Sequence, residues 1–353
     1  MSPAPEYLDS DNLFDRLPDE IVLSVFDKLH DAKSLCLSMS VCKRFYSIIP
    51  QVEEVFLHIP RKKSLVKDSE TPQNFLKNHF VKALMKPFFF ISQVVKFRSK
   101  KEDNDYDYDY YSYHAPNEIL KPFEEIRALN LRLPCQKKGS TSGKEFNSML
   151  KWKAEFGSQL HSCVMLGAKS CIEKRENEEK LREKEENSRE SEVIADDELK
   201  LRIVWTISCL IVASARHYLI QEIVKEHKLI DKIVVTDESD QGKLCMNEEQ
   251  IEEFRQLNSK DSSLENRTKL PALGMKMWYL EKLDLPDSGR TMEGATLVVI
   301  RGVGGGGEAV KTKNDGDLVA DAFEGVGEDK VVEEAVRKLM TTKRCYTLEM
   351  NAF

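Results

Sequence analysis

Residues 13–50 read LFDRLPDEIVLSVFDKLHDAKSLCLSMSVCKRFYSIIP. Their apolar residues recur at helical spacing in three short bursts, which decides the fold of this end of the chain. Leu17, Ile21, Val22, Val25, Phe26 and Leu29 make the first, at three- and four-residue intervals. Pro18 suits a first helical turn, where its missing N–H costs nothing, and Asp19 and Glu20 suit the positive end of the helix dipole. After a break at His30-Asp31, Leu35, Leu37 and Met39 begin a second helix, and Val41, Phe45, Tyr46, Ile48 and Ile49 mark a third. Three helices this short hide too little surface to make a robust core alone. Their apolar positions also outnumber what one internal seam can use, so the surplus face is expected to meet a partner.

Two pieces of the stretch carry a recognisable pattern: Leu17-Pro18-Asp19-Glu20-Ile21 and Val41-Cys42-Lys43-Arg44-Phe45. The segment resembles the F-box, with L-P-x-E-[IL] near its start and a closing V-C-[KR]-x-[WF]. Phe45 stands where Trp is commoner, a smaller ring but still an aromatic knob. The resemblance implies docking to a Skp-type adaptor and, through it, to a cullin and a RING protein. The chain would then be the non-catalytic, substrate-recruiting subunit of an SCF-type ubiquitin ligase, in the nucleus, the cytoplasm or both. The residues expected against the adaptor are Leu17, Pro18, Ile21, Val25, Leu29, Leu35, Val41, Cys42 and Phe45. Nearly the full length resembles plant F-box proteins of the auxin-up-regulated group, including the C-terminal CYTLEMNAF of Cys345–Phe353.

Outward from this segment, the chain has 353 residues, 41% hydrophobic and 32% charged, with net charge −7. That is apolar enough to bury a core, and it excludes collagen-like, mucin-like and wholly disordered classes. Eight cysteines are too dilute for a disulfide scaffold and none forms a C-x-x-C pair. The seven histidines show no ligand spacing from a Cys pair, so neither a metal nor a cofactor is expected. The longest apolar run, Ile203–Ala215, has 13 residues where a bilayer span needs about 20, and it reads as a buried core helix with no membrane role.

Residues 1–12 are polar and Pro-bearing and are expected to be disordered. The helical module is bounded at 13–59, and a basic, aromatic connector with an acidic, Tyr-rich loop fills 60–117. Residues 61–101 hold eleven Lys/Arg against Asp68 and Glu70, a local +9 that leaves about −16 elsewhere. Nucleic-acid or anionic-membrane contact by this stretch is conceivable, but the simpler reading packs its phenylalanines inward while the lysines reach outward.

From about residue 118 to 301, β and α segments alternate in a substrate-binding domain. The strand candidates are Ile126–Leu133, Leu160–Leu166, Ile230–Thr236, Met275–Leu285 and Ala295–Arg301. Phe146, Met149, Leu150, Lys153 and Phe156 suggest a helix between the first two, and Lys200–Lys228 a long one. Asn247 and Gln250 have the spacing of a capping box. Once the charged insertion 173–198 is set aside, the strands recur at 35–45 residues, as parallel βα units do. The expected fold class is α+β: a three-helix module followed by an irregular, leucine-rich-repeat-like β/α domain, with a compact α+β domain as the alternative. LPDSGRTMEG between the last two strands suits an antiparallel hairpin. Residues 302–353 read as a Gly-rich linker, a helix over Lys330–Thr341 and a tail.

Two rival functions remain. Gly302, Gly304 and Gly307 spell G-x-G-x-x-G after a strand, as in a nucleotide-binding enzyme, but EAVKTKNDGDLVADAFEGVGED lacks the apolar period of the helix that motif needs. No Ser/His/Asp or Cys/His set is placed by context. An F-box adaptor acting outside ubiquitination is the other alternative, and the protein target itself cannot be read from these residues.

Overall fold

The three N-terminal helices form as α1 (Asp19–Leu29), α2 (Ala32–Met39) and α3 (Lys43–Ile48). A computed structural model describes residues 13–59, 116–134, 148–173, 194, 196–260, 272–302, 313–324 and 330–350. The expected N-terminal disorder, the basic connector and Tyr-rich loop up to residue 115, residues 174–193 of the charged run and the glycines after Gly302 lie outside the described residues. Pro18 sits one residue before α1, where its carbonyl accepts from the Ile21 and Val22 amides. Asp31 opens α2 by accepting from the Ser34 backbone N–H at 2.9 Å and its hydroxyl at 2.6 Å.

The chain then runs directly into a ten-stranded mixed sheet. Its strands are β1 (Glu54–His58), β2 (Ala128–Leu133), β3 (Met149–Phe156), β4 (Leu160–Ala168) and β5 (Ser170–Glu173). The second half supplies β6 (Lys232–Asp237), β7 (Gly242–Met246), β8 (Leu273–Leu285), β9 (Arg290–Gly302) and β10 (Cys345–Met350). The order is β1-β2-β6-β7-β3-β4-β9-β8-β10, with β5 paired to β9. Among the described residues five α-helices accompany it: α4 (Pro116–Leu120), α5 (Asp196–Glu226), α6 (Glu248–Lys260), α7 (Asp315–Phe323) and α8 (Lys330–Thr341).

This order corrects the leucine-rich-repeat expectation. Such repeats pair each strand with the next in sequence, all in one direction. Here β2 pairs with β6, while β3–β4, β6–β7 and β8–β9 are antiparallel. Parallel pairing survives at β1–β2, β2–β6 and β3–β7. The helix expected over 146–156 is also corrected: β3 buries Trp152, Ala154 and Phe156, a period of two that the helical spacing of Met149, Leu150 and Lys153 masked. The C-terminal region is no mere linker and tail, since it contributes α7 and places Cys345–Met350 in the sheet beside β8.

The five expected strands are present as β2, β4, β6, β8 and β9, with β8 and β9 forming the expected hairpin. Its corner ends on Gly289, whose φ of +66° lies in the left-handed region glycine favours. The capping box at α6 is reciprocal: Asn247 N–H donates to Gln250 Oε1 at 2.9 Å and Gln250 N–H to Asn247 Oδ1 at 3.0 Å.

The sheet buries both faces across β4, β9 and β8. Along β4, Cys163 and Met165 join the core under α5, whereas Val164 and Leu166 join the core under α7 and α8. Helix α5, at 31 residues, is long and apolar enough to cross a membrane by length and composition, yet half of its most apolar window is buried. It packs on β7, β3 and β4 and carries two buried arginines, each with several partners. Arg202 donates to Glu198, the Thr296 hydroxyl and the Gly294 carbonyl, with its guanidinium 4.8 Å from the Tyr279 ring. Arg216 donates to Asp237 and the carbonyls of Val235 and Gly242 and stacks 4.8 Å over Trp152. These bonds replace the hydration that burial removes.

The helical module shares the α5-side core. Leu35, Ile49 and Val52 are fully buried in the same cluster as Leu129, Ile233 and Ile220. Backbone bonds join the two parts: Phe56 N–H to the His30 carbonyl at 2.7 Å, and Glu124 N–H to the Pro50 carbonyl at 2.8 Å. The expected boundary at residue 59 therefore falls behind a strand of the sheet.

Candidate functional site

Apolar side chains left in water mark the site. The described residues include ten exposed large hydrophobics, and seven of them fall within 33 residues of the N-terminal module: Phe14, Ile21, Val25, Leu29, Leu37, Val41 and Tyr46. Scattered singly they would mean little, but so concentrated a set is what an interaction surface looks like. The sheet domain, several times larger, accounts for only Ile172, Tyr218 and Leu229.

Helix α1 shows how the surface arises. Val22 and Phe26 face the core, while Ile21, Val25 and Leu29, four residues apart, form a second apolar stripe on the solvent side. The motif's other half is held beside α1 by Arg44. Its Nε donates to Asp19 Oδ1 at 2.8 Å, Nη1 to the Phe14 carbonyl at 2.6 Å and Nη2 to the Leu17 carbonyl. One guanidinium thus ties the start of α3 to the start of α1. Phe45 wedges between Phe14 and Phe26, with ring centroids at 5.9 and 5.1 Å and both contacts edge-on. Cys42 caps α3, its Sγ accepting from the Phe45 amide at 3.4 Å. On α2, burial and then the Asp31 carboxylate push the Cys36 thiol upward, which keeps it protonated.

Among the expected docking residues, Ile21, Val25, Leu29 and Val41 are exposed, Val41 at 70%, and Pro18 and Cys42 are exposed as well. Leu17 and Phe45 are half-buried and packed on the core. Leu35 is a correction. It is 0% exposed, because Ala32, Leu35 and Met39 form the inward face of α2 against the rest of the module and β1. The residue presented by that helix is Leu37, at 62% exposure. Phe14, Leu37 and Tyr46 are also exposed, although they are not among the residues expected against the adaptor. Helical phase sets Leu35 and Leu37 on different faces of α2, and what packs against the helix decides which of them is buried.

The nucleotide-binding alternative finds no support in the sheet. That fingerprint needs a parallel strand leading into a crossover helix. Gly302 instead ends β9, which lies between β4 and β8, antiparallel to both.

The module, its exposed stripe and its closing Val41–Phe45 motif define an F-box class of protein, and the F-box-like family model matches residues 14–52. Relatives extend the match over almost the whole chain. F-box protein At1g30200 of Arabidopsis thaliana is 36% identical over 99% of this chain and 96% of its own length. F-box proteins AUF1 and AUF2 of the same plant are each 33% identical, over 96% and 97% of this chain and 99% and 100% of their own lengths. The chain belongs to this family of plant F-box proteins, the one that includes AUF1 and AUF2. F-box proteins generally act as non-catalytic substrate receptors of SCF ubiquitin ligases, through a Skp-type adaptor. No solved structure matches the chain.

Proposed function

We propose that this chain is the substrate-recruiting subunit of an SCF-type cullin–RING ubiquitin ligase. The F-box docks a Skp-type adaptor, the adaptor brings the cullin and RING protein, and the sheet domain holds a protein target. The observation that carries this reading is the concentration of exposed apolar side chains on the F-box, above a core that is complete without them. An adaptor groove that takes Ile21, Val25, Leu37 and Val41 would remove that surface from water, at about 25 cal/mol per Å² of apolar area. The shared core between F-box and sheet supports a target held at a set orientation to the ligase. The work is done in the nucleus, the cytoplasm or both, without a membrane or nucleic-acid partner.

Affinity capture of the tagged full-length chain from plant extract tests this, probing for adaptor and cullin together. Capture of both, lost in Ile21→Asp with Val41→Asp, is the expected result. Absence of the adaptor from the wild-type capture would refute the proposal, and adaptor without cullin would place the protein outside ubiquitination.

A further inference from the structure

The sheet treats its two ends differently. At the β1 end, Phe56 N–H bonds to the His30 carbonyl, Asp31 forms a parallel bridge with Phe56, and α2 packs alongside. At the other end, β10 pairs with β8 and with no other described strand. Alternate residues of an antiparallel strand direct both backbone groups away from their partner, so β10 offers a row of donors and acceptors to a further strand. Natural edges are blunted by charged side chains, proline or a bulge. CYTLEM has no proline or lysine and a single charge, Glu349, and its register with β8 runs unbroken from Cys345 to Met350.

The side chains say what the further strand is. Tyr346, Leu348 and Met350 are half-buried on the α5 side, against the main core, and Cys345, Thr347 and Glu349 are exposed on the other. From this the geometry points to a second copy of the same chain, joined antiparallel through β10 about a two-fold axis at Leu348. That register sets Leu348 against Leu348 and Tyr346 against Met350, so three apolar pairs extend the half-buried row across the junction. On the opposite side Thr347 meets Glu349, so the strand's one charge never faces itself. Shifting the axis to Thr347 would pair Tyr346 with Leu348, leave Met350 unmatched and lose one apolar pair. The two-fold is isologous and closes at a dimer, so the assembly presents two F-boxes.

The test rests on the interchain neighbour of Thr347. Within one chain Thr347 lies opposite Lys276 of β8, whose ammonium is already paired with Asp315 at 2.7 Å, so the chain's own ladder favours neither charge strongly. In the dimer register Thr347 faces the copy's Glu349, which repels a glutamate and attracts a lysine. Sedimentation velocity of the full-length chain over a concentration series should show a reversible dimer. Thr347→Glu should weaken it by up to about 30-fold, since the repulsive pair occurs twice. Thr347→Lys should leave it as tight or tighter. Because Thr347 is exposed, both variants fold, and their circular dichroism should match the parent. A wild-type chain monomeric at the highest attainable concentration overturns the inference, as does a dimer that both charges weaken equally. A monomer that loses a foreign partner on Thr347→Glu also overturns it, in favour of strand addition by another protein.

Discussion

Replacing Val41 by Asp and, separately, Leu35 by Ala should dissociate adaptor binding from folding, although both residues sit in one short module. Val41 is 70% exposed and Leu35 is 0% exposed. Val41 stands between the caps Ser40 and Cys42, but its own side chain takes part in neither. An exposed substitution that leaves caps and buried networks in place changes stability by about 0.5 kcal/mol or less, so Val41→Asp should melt with the parent. A carboxylate in the centre of an apolar interface should cost about 2 kcal/mol or more of binding, roughly a 30-fold rise in Kd. Leu35→Ala removes a fully buried side chain from the cluster that also holds Ala32, Met39, Ile48 and Val52, at about 2–5 kcal/mol. Its thermal midpoint should fall by several degrees, while Kd for the adaptor stays within about twofold where the protein remains folded. Calorimetric titration with a purified Skp-type adaptor, beside thermal melts of both variants, reads the two quantities independently. If Val41→Asp binds normally, or if Leu35→Ala loses binding while still fully folded, the division into face and core is wrong.

Proton titration of the histidines should separate two of them. The Glu253 hydrogen bond at 2.7 Å raises His161 above its ordinary value despite burial, whereas burial takes His217 down to about 4 against its bond to the Gly157 carbonyl. His161 therefore contributes stability that is complete below about pH 6.5 and lost as pH rises through its raised value, while His217 opposes folding progressively as pH falls from about 6.5 toward 4. NMR should show one imidazole titrating above 6.5 and one near 4, and the Glu253 carboxylate, although burial works against its ionisation, held by His161 and Ser158 at about 2. Gly242→Ala should be destabilising by about 1–3 kcal/mol in chemical denaturation, because its Cβ would sit 1.9 Å from the Trp152 ring that carries Arg216.

What local chemistry alone dictates was legible from residues. Helical phase and a proline near the first turn place α1, the Asn247/Gln250 spacing places the start of α6, and Pro-Asp-Ser-Gly places the β8–β9 corner, because each depends on neighbours within a few positions. The closing Val41–Phe45 motif likewise identified the class of protein. Tertiary structure decided the rest. Met149–Phe156 fits either period until β4 and β7 take its backbone bonds, and Cys345–Met350 becomes a strand only because β8 has an open side. Leu35 and Leu37 are chemically identical and two residues apart. Only the wall formed by the rest of the module and β1 buries one and leaves the other in solvent, since burial depends on what packs opposite and a sequence does not contain that partner's position.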